Sequence, residues 1–170
     1  MLRRNISCAA LAAVFCFGAS ADLAAEEKAL ISFKVMSPSL ALELAQATLA
    51  SCRESGFQTA VVVVDRAGGI QVALRDRFAG PHTVDTARRK AWTAVSFRTD
   101  TLEMANLTQA GKPQSGVRQV AHALMIGGGV PVSAAGAIVG GVGVSGAPGG
   151  EADDKCARDG IDAIVDKLEF

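Results

Sequence analysis

The sequence predicts an α/β fold of the α+β kind: an antiparallel sheet of about five strands flanked by helices. Three observations predict it. Residues 59–65 hold four consecutive valines, and Arg66-Ala67-Gly68-Gly69 turns the chain into a second β-type run at 70–75. Adjacent strands joined by a tight turn pair antiparallel. Residues 136–145 alternate glycine with valine or isoleucine after a Gly127-Gly128-Gly129 turn and Pro131-Val132-Ser133. Around these runs lie stretches with helical spacing of apolar and small residues, which must cover the sheet.

The elements follow in order. Arg3 and Arg4 precede an apolar run at 6–17, and Gly18-Ala19-Ser20-Ala21 then offers small residues at a cleavage site. This three-part pattern predicts a cleaved leader over residues 1–21, and hence an exported protein. The run is shorter than the roughly 20 residues that span a bilayer, and no later apolar segment reaches that length. Residues 22–37 form a lead-in, in which 30–35 reads as a short strand or an extended segment. The domain then occupies 38–170. Ser37-Pro38 caps and opens a helix that runs to about Ser55, with Gly56 as the stop. The valine hairpin comes next, and then a loop at 76–81. A second helix covers about 82–97, and Thr99 or Asp100 caps a third at 101–109. Residues 111–116 link to 117–126, which reads equally as strand, helix or a mixture. The final helix is predicted over 151–168, with acids in its first turn and Lys167 in its last, matching its dipole.

Composition excludes several classes of function. The 170 residues carry 17 Lys+Arg and 17 Asp+Glu, so no basic excess points to nucleic acid. Removing residues 1–21 takes two arginines and no acid, leaving 15 basic against 17 acidic side chains, a net −2. Of the four cysteines, Cys8 and Cys16 leave with the leader. Cys52 and Cys156 remain, and they read either as a disulfide tying the first and last helices or as two buried thiols. No C-x-x-C-H is present, so covalent c-type haem attachment is unsupported.

Gly141-Val142-Gly143-Val144-Ser145-Gly146 is a literal G-x-G-x-x-G. A dinucleotide site needs that pattern in the turn between strand and helix. Here the first glycines lie inside the strand, where glycine more often marks close approach of a backbone or a ligand. In the helix at 82–97, Val84, Ala87, Ala91, Ala94 and Val95 share a small-residue face. His82, Asp85, Thr86, Arg89 and Thr93 share another, on which Asp85 and Arg89 stand four apart and can pair. That stripe reads either as a pocket lining or as a solvated face. His82 and His122 are the only histidines and have no metal-ligand spacing to each other or to cysteine, so a structural metal is not indicated. A lone histidine can still serve haem iron. His82 sits at a loop–helix junction and is the better candidate. No arrangement of residues amounts to a catalytic set.

These segments carry a resemblance. Val62-Val63-Val64-Asp65-Arg66-Ala67-Gly68-Gly69, Gly80-Pro81, Ala87-Arg88-Arg89-Lys90-Ala91-Trp92-Thr93-Ala94, Gly127-Gly128-Gly129-Val130-Pro131 and the glycine-rich 140–150 recur in that order in one family. The chain resembles the GlcG/HbpS family of haem-binding proteins over about residues 38–168, and its leader fits the exported branch. The resemblance implies an exported protein for haem storage, scavenging or sensing, which binds haem b non-covalently and assembles into homo-oligomers. Its alternative is an enzyme or accessory protein acting on a small organic acid such as glycolate. The family pattern points to Thr93 or to His82 as axial ligand. His82 is the chemically stronger choice, because a neutral hydroxyl is a weak iron ligand beside an imidazole. Thr86 lies on the same stripe, and Arg89 and Lys90 are available to pair with haem propionates.

Overall fold

The computed structural model describes residues 29–169; the leader assigned to residues 1–21 lies outside the described residues. From Phe33 onward the chain makes up one unit. Helix α1 (Pro38–Glu54) begins where the Ser37 hydroxyl accepts the Leu40 N–H at 3.3 Å, with proline in the first turn. Gly56, at φ 81°, ends it. Strands β1 (Ala60–Asp65) and β2 (Ile70–Arg75) form the expected hairpin. In its turn the Asp65 carboxylate accepts the Ala67 and Gly69 N–H groups at 2.8 and 2.9 Å. Helices α2 (Thr83–Phe97) and α3 (Thr101–Leu107) follow. Strands β3 (Gly129–Ala134) and β4 (Ala137–Ser145) and helix α4 (Gly150–Asp162) complete the order.

Among the described residues the sheet has four strands in the order β2-β1-β4-β3, all antiparallel. The expected count of about five fails at the lead-in. The Met36 N–H reaches the Val139 carbonyl at 3.4 Å, while the Met36 carbonyl accepts from the Gln71 amide. Val139 is on β4 and Gln71 on β2, the two strands that flank β1. The segment therefore crosses the sheet instead of extending its edge. The undecided stretch resolves into a 3-10 turn, Ser115–Gln119, and a loop in which His122 takes φ 69°. Helix α4 stops at Asp162, short of the expected 168. Bonds of the i to i+3 type tighten the chain beyond it and carry Ile164 and Leu168 into the core. Lys167 thus falls in a 3-10 turn, where it pairs with Glu43 of α1.

Three layers result. Val61, Val63, Val142 and Val144 face α1 and α4, meeting Leu44, Ala45 and Ala157. Ala60, Val62 and Val64 face α2, meeting Ala87, Ala91 and Val95. Strand β1 is covered on both faces, which is why its valines run consecutively without alternating with polar residues. Cys52 and Cys156 form a disulfide between α1 and α4, with Cα atoms 5.3 Å apart.

The glycines of β4 are a packing device. A Cβ on Gly143 would lie 2.0 Å from the Ala87 carbonyl oxygen and 2.7 Å from the Ala91 nitrogen. One on Gly141 would lie 2.6 Å from Val95 Cγ1. The absence of side chains lets the α2 backbone rest directly on the strand, and this contact fixes where both ends of α2 emerge.

Candidate functional site

The N-terminal end of α2 emerges beside a cleft of about 710 Å³, whose lining includes Phe57, Phe78, His82, Thr86, Lys90, Ile126, Asp153 and the run from Ser145 to Gly150. Its volume is within the usual range for small-molecule sites. The loop that delivers His82 is anchored from below. Buried Asp76 accepts the Thr59 N–H at 3.1 Å and two bonds from Arg53, and Arg75 donates to the Ala79 carbonyl. The Thr83 hydroxyl then donates to the Gly80 carbonyl at 2.7 Å, tightening the turn into α2.

Gly80 also makes room for the histidine ring. A Cβ there would lie 2.7 Å from His82 Cε1 and 2.9 Å from Nδ1. His82 is exposed at the cleft, and among the described residues its ring nitrogens accept and donate no hydrogen bond. An imidazole seated by packing and left chemically free can serve as a ligand or as a proton carrier.

Deeper in the cleft lies a buried ion pair. The Lys90 ammonium donates to Asp153 Oδ2 at 2.7 Å and to the Val144 carbonyl at 2.9 Å. Asp153 Oδ1 accepts the Ala147 N–H at 3.0 Å, so this carboxylate ties the glycine-rich loop to α2. Burial is the larger influence on both groups. It pushes Lys90 below and Asp153 above their ordinary values, against the attraction between them.

The structure brings three of the five sequence candidates to the cleft: His82, Thr86 and Lys90. The Thr86 hydroxyl donates to the His82 carbonyl at 3.0 Å, and Lys90 is committed to Asp153. Arg89 and Thr93 serve another segment. Arg89 donates to the carbonyls of His122 and Ala123 at 3.4 and 2.9 Å. The buried Thr93 hydroxyl donates to the Arg89 carbonyl at 2.7 Å and accepts the Leu124 N–H at 2.9 Å. The expected Asp85–Arg89 pair does not form; Asp85 bonds Arg88 at 2.8 Å, because Arg89 is drawn to the loop carbonyls. His122 packs edge-on to Trp92, 6.0 Å between ring centroids.

Sequence reasoning missed Asp153, Phe57 and Phe78. Asp153 reads along the chain as an acid that complements the α4 dipole. Its partner lies 63 residues away, so no local spacing reveals the pair.

Comparison with known proteins places this geometry in a family. The family described as haem degrading protein HbpS-like matches residues 36–162. A double mutant of HbpS from Streptomyces reticuli is 38% identical, covering 86% of this chain and 99% of that one, with a TM-score of 0.75. The Klebsiella pneumoniae protein ORFY is 26% identical, covering 82% of this chain and 97% of that one, with a TM-score of 0.78. PduOC, crystallised as a complex with heme, is 28% identical, covering 76% of this chain and 95% of that one, with a TM-score of 0.71. The chain belongs to the HbpS-like family.

Proposed function

We propose that this member of the HbpS-like family is an exported protein that binds haem b non-covalently in the cleft at the start of α2, for storage, scavenging or sensing. The observation that carries the reading is His82. It is an exposed imidazole without a hydrogen-bond partner among the described residues, at the mouth of a cleft of about 710 Å³ with aromatic walls. Similarity to HbpS and to a protein crystallised with heme supports the choice of ligand.

The residues present fit such a group. Phe57, Phe78, Ile126 and Pro148 offer apolar surface to a macrocycle, and the side-chain-poor 146–150 loop leaves space beside them. His82 would hold the iron; bound haem would supply redox and ligand-binding chemistry there. Lys90 and Arg89, the propionate partners expected from the sequence, are engaged here by Asp153 and by loop carbonyls. The glycine start of α4, which lines the cleft, is the end of a helix that favours carboxylates. Non-covalent binding is supported by the disulfide, since both described cysteines are bonded to each other and neither can form a thioether. The same disulfide supports an oxidising compartment, in keeping with the leader pattern at 1–21. Phe78 is 79% exposed and Ile126 47% exposed at the mouth, apolar surface that a second copy in a homo-oligomer would cover.

A haemin titration of the untagged protein, followed through the Soret region in imidazole-free buffer, tests the reading. A saturable, shifted band at a defined ratio of haem to subunit is expected. A titration that follows free haemin would overturn it.

A further inference from the structure

A second cavity, of about 600 Å³, lies at the other end of α2. It is bounded by the β1–β2 turn, the β3–β4 turn and the helix end, and its polar lining includes Arg66, Trp92, Ser96 and Arg98. Among the described residues, no aspartate or glutamate lines it. Among the described residues, neither arginine makes an ion pair or a hydrogen bond. Arg66 is instead stacked over the Phe33 ring, 4.3 Å from its centroid, which positions the guanidinium without neutralising it. Asp65, the neighbouring acid, is engaged within its own turn by the Ala67 and Gly69 N–H groups. Arg98 closes α2 at φ 55°, a left-handed position that favours glycine or asparagine. An arginine held there at some conformational cost points to a use for its side chain.

We propose that this cavity binds a small organic anion bearing a carboxylate or phosphate group. Two guanidinium groups supply planar forks that match either oxyanion. Trp92, Val95 and Ile138 supply apolar surface for the rest of the molecule. The C-terminal end of α2 opposes an anion with roughly half a charge, and two full cationic charges outweigh it. The site does not rest on haem binding, because the cleft at His82 and this cavity lie at opposite ends of α2 and, among the described residues, share no lining residue.

Trp92 is the chain's single tryptophan, so its fluorescence reports on this cavity directly. The experiment titrates haem-free protein with succinate and, separately, with inorganic phosphate, at low and constant ionic strength set by chloride. A saturable fluorescence change with at least one of them is expected, and the responding probe identifies the oxyanion. Arg66→Gln and Arg98→Gln, each checked for an unchanged melting temperature, should weaken that binding about tenfold or more, the usual effect of losing a charged hydrogen-bonding partner. No saturable change with either anion, a change that chloride reproduces, or equal affinity in both variants would overturn the proposal. Haemin titration of the same variants should be unchanged, which separates failure here from failure of the haem reading.

Discussion

Lys90 Nζ and Asp153 Oδ2 stand 2.7 Å apart, with their side chains only 2% and 5% exposed. Attraction at this depth is offset by the cost of taking both charges from water, so the pair fixes geometry more than it adds stability. Removing one partner is a different matter, since it strands a buried charge. Asp153→Ala should lower unfolding free energy by about 3–5 kcal/mol, whereas Lys90→Met with Asp153→Leu should lose much less. Urea denaturation of the three proteins checks the ordering. A single variant no less stable than the double would contradict it.

The same pair sets a pH dependence. The folded Asp153 carboxyl titrates above its ordinary value, so the native state binds its proton more tightly than the unfolded chain. Its contribution to stability falls as pH rises through that window and is restored on acidification. Lys90 titrates below its ordinary value, so its contribution rises with pH between its folded value and the unfolded one. The charged pair is therefore least favourable near neutrality. The stability of the wild type relative to the Lys90→Met/Asp153→Leu protein should be lowest there and should improve toward mildly acidic pH. Melts across a pH series measure the difference; a monotonic fall toward acid would contradict it.

Gly143 tests the packing of α2. A Cβ there would meet the Ala87 carbonyl oxygen at 2.0 Å, a backbone atom that cannot rotate away. Gly143→Ala should lower stability by about 3 kcal/mol, the upper end for overpacking. Gly149→Ala, where a Cβ would meet only the Glu151 carboxylate at 3.3 Å, should cost much less. Thermal melts of the two variants compare them.

The sheet was readable because its signals are local. Four valines, a two-glycine turn and a second β run can be read within 20 residues. The lead-in was harder, since an extended segment that crosses a sheet has the same β-type composition as one that joins its edge. Only the bonds from Met36 to Val139 and Gln71 separate the two. The end of α4 departs from the sequence expectation for a related reason: Ile164 and Leu168 keep helical spacing while entering the core around a 3-10 turn. His82 and Thr86, which the sequence places on one helix face, both line the cleft. Asp153 and Phe57 come from distant parts of the chain, and only the fold brings them there.

The disulfide links positions 104 residues apart and is buried, at 0% and 2% exposure for Cys52 and Cys156. Closing a loop of that length restricts the unfolded chain, and loss of the bond should cost about 2–4 kcal/mol. Cys52→Ala with Cys156→Ala should show that loss in urea melts at neutral pH. Reductant added to the wild type should produce the same loss slowly, because neither sulfur is exposed. An immediate effect would mean that α1 and α4 separate readily.

His82 and Thr93 make opposite predictions. His82 has a free ring seated against Gly80 and no structural bond to lose, so His82→Ala should leave stability within about 0.5 kcal/mol, as for other surface positions. It should also abolish or shift the Soret band of bound haem. The Thr93 hydroxyl is fully engaged between the Arg89 carbonyl and the Leu124 N–H. Thr93→Val keeps the shape and strands the Leu124 donor, at a cost of about 1–2 kcal/mol. Its haem spectrum should match the wild type, because a hydroxyl held at 0% exposure by two backbone partners is not presented to an iron in the cleft. Absorption spectra and thermal melts of both variants decide between the two candidates. A normal spectrum in His82→Ala and a lost one in Thr93→Val would move the ligand to Thr93, and with it the haem to the Arg89–Leu124 side of α2.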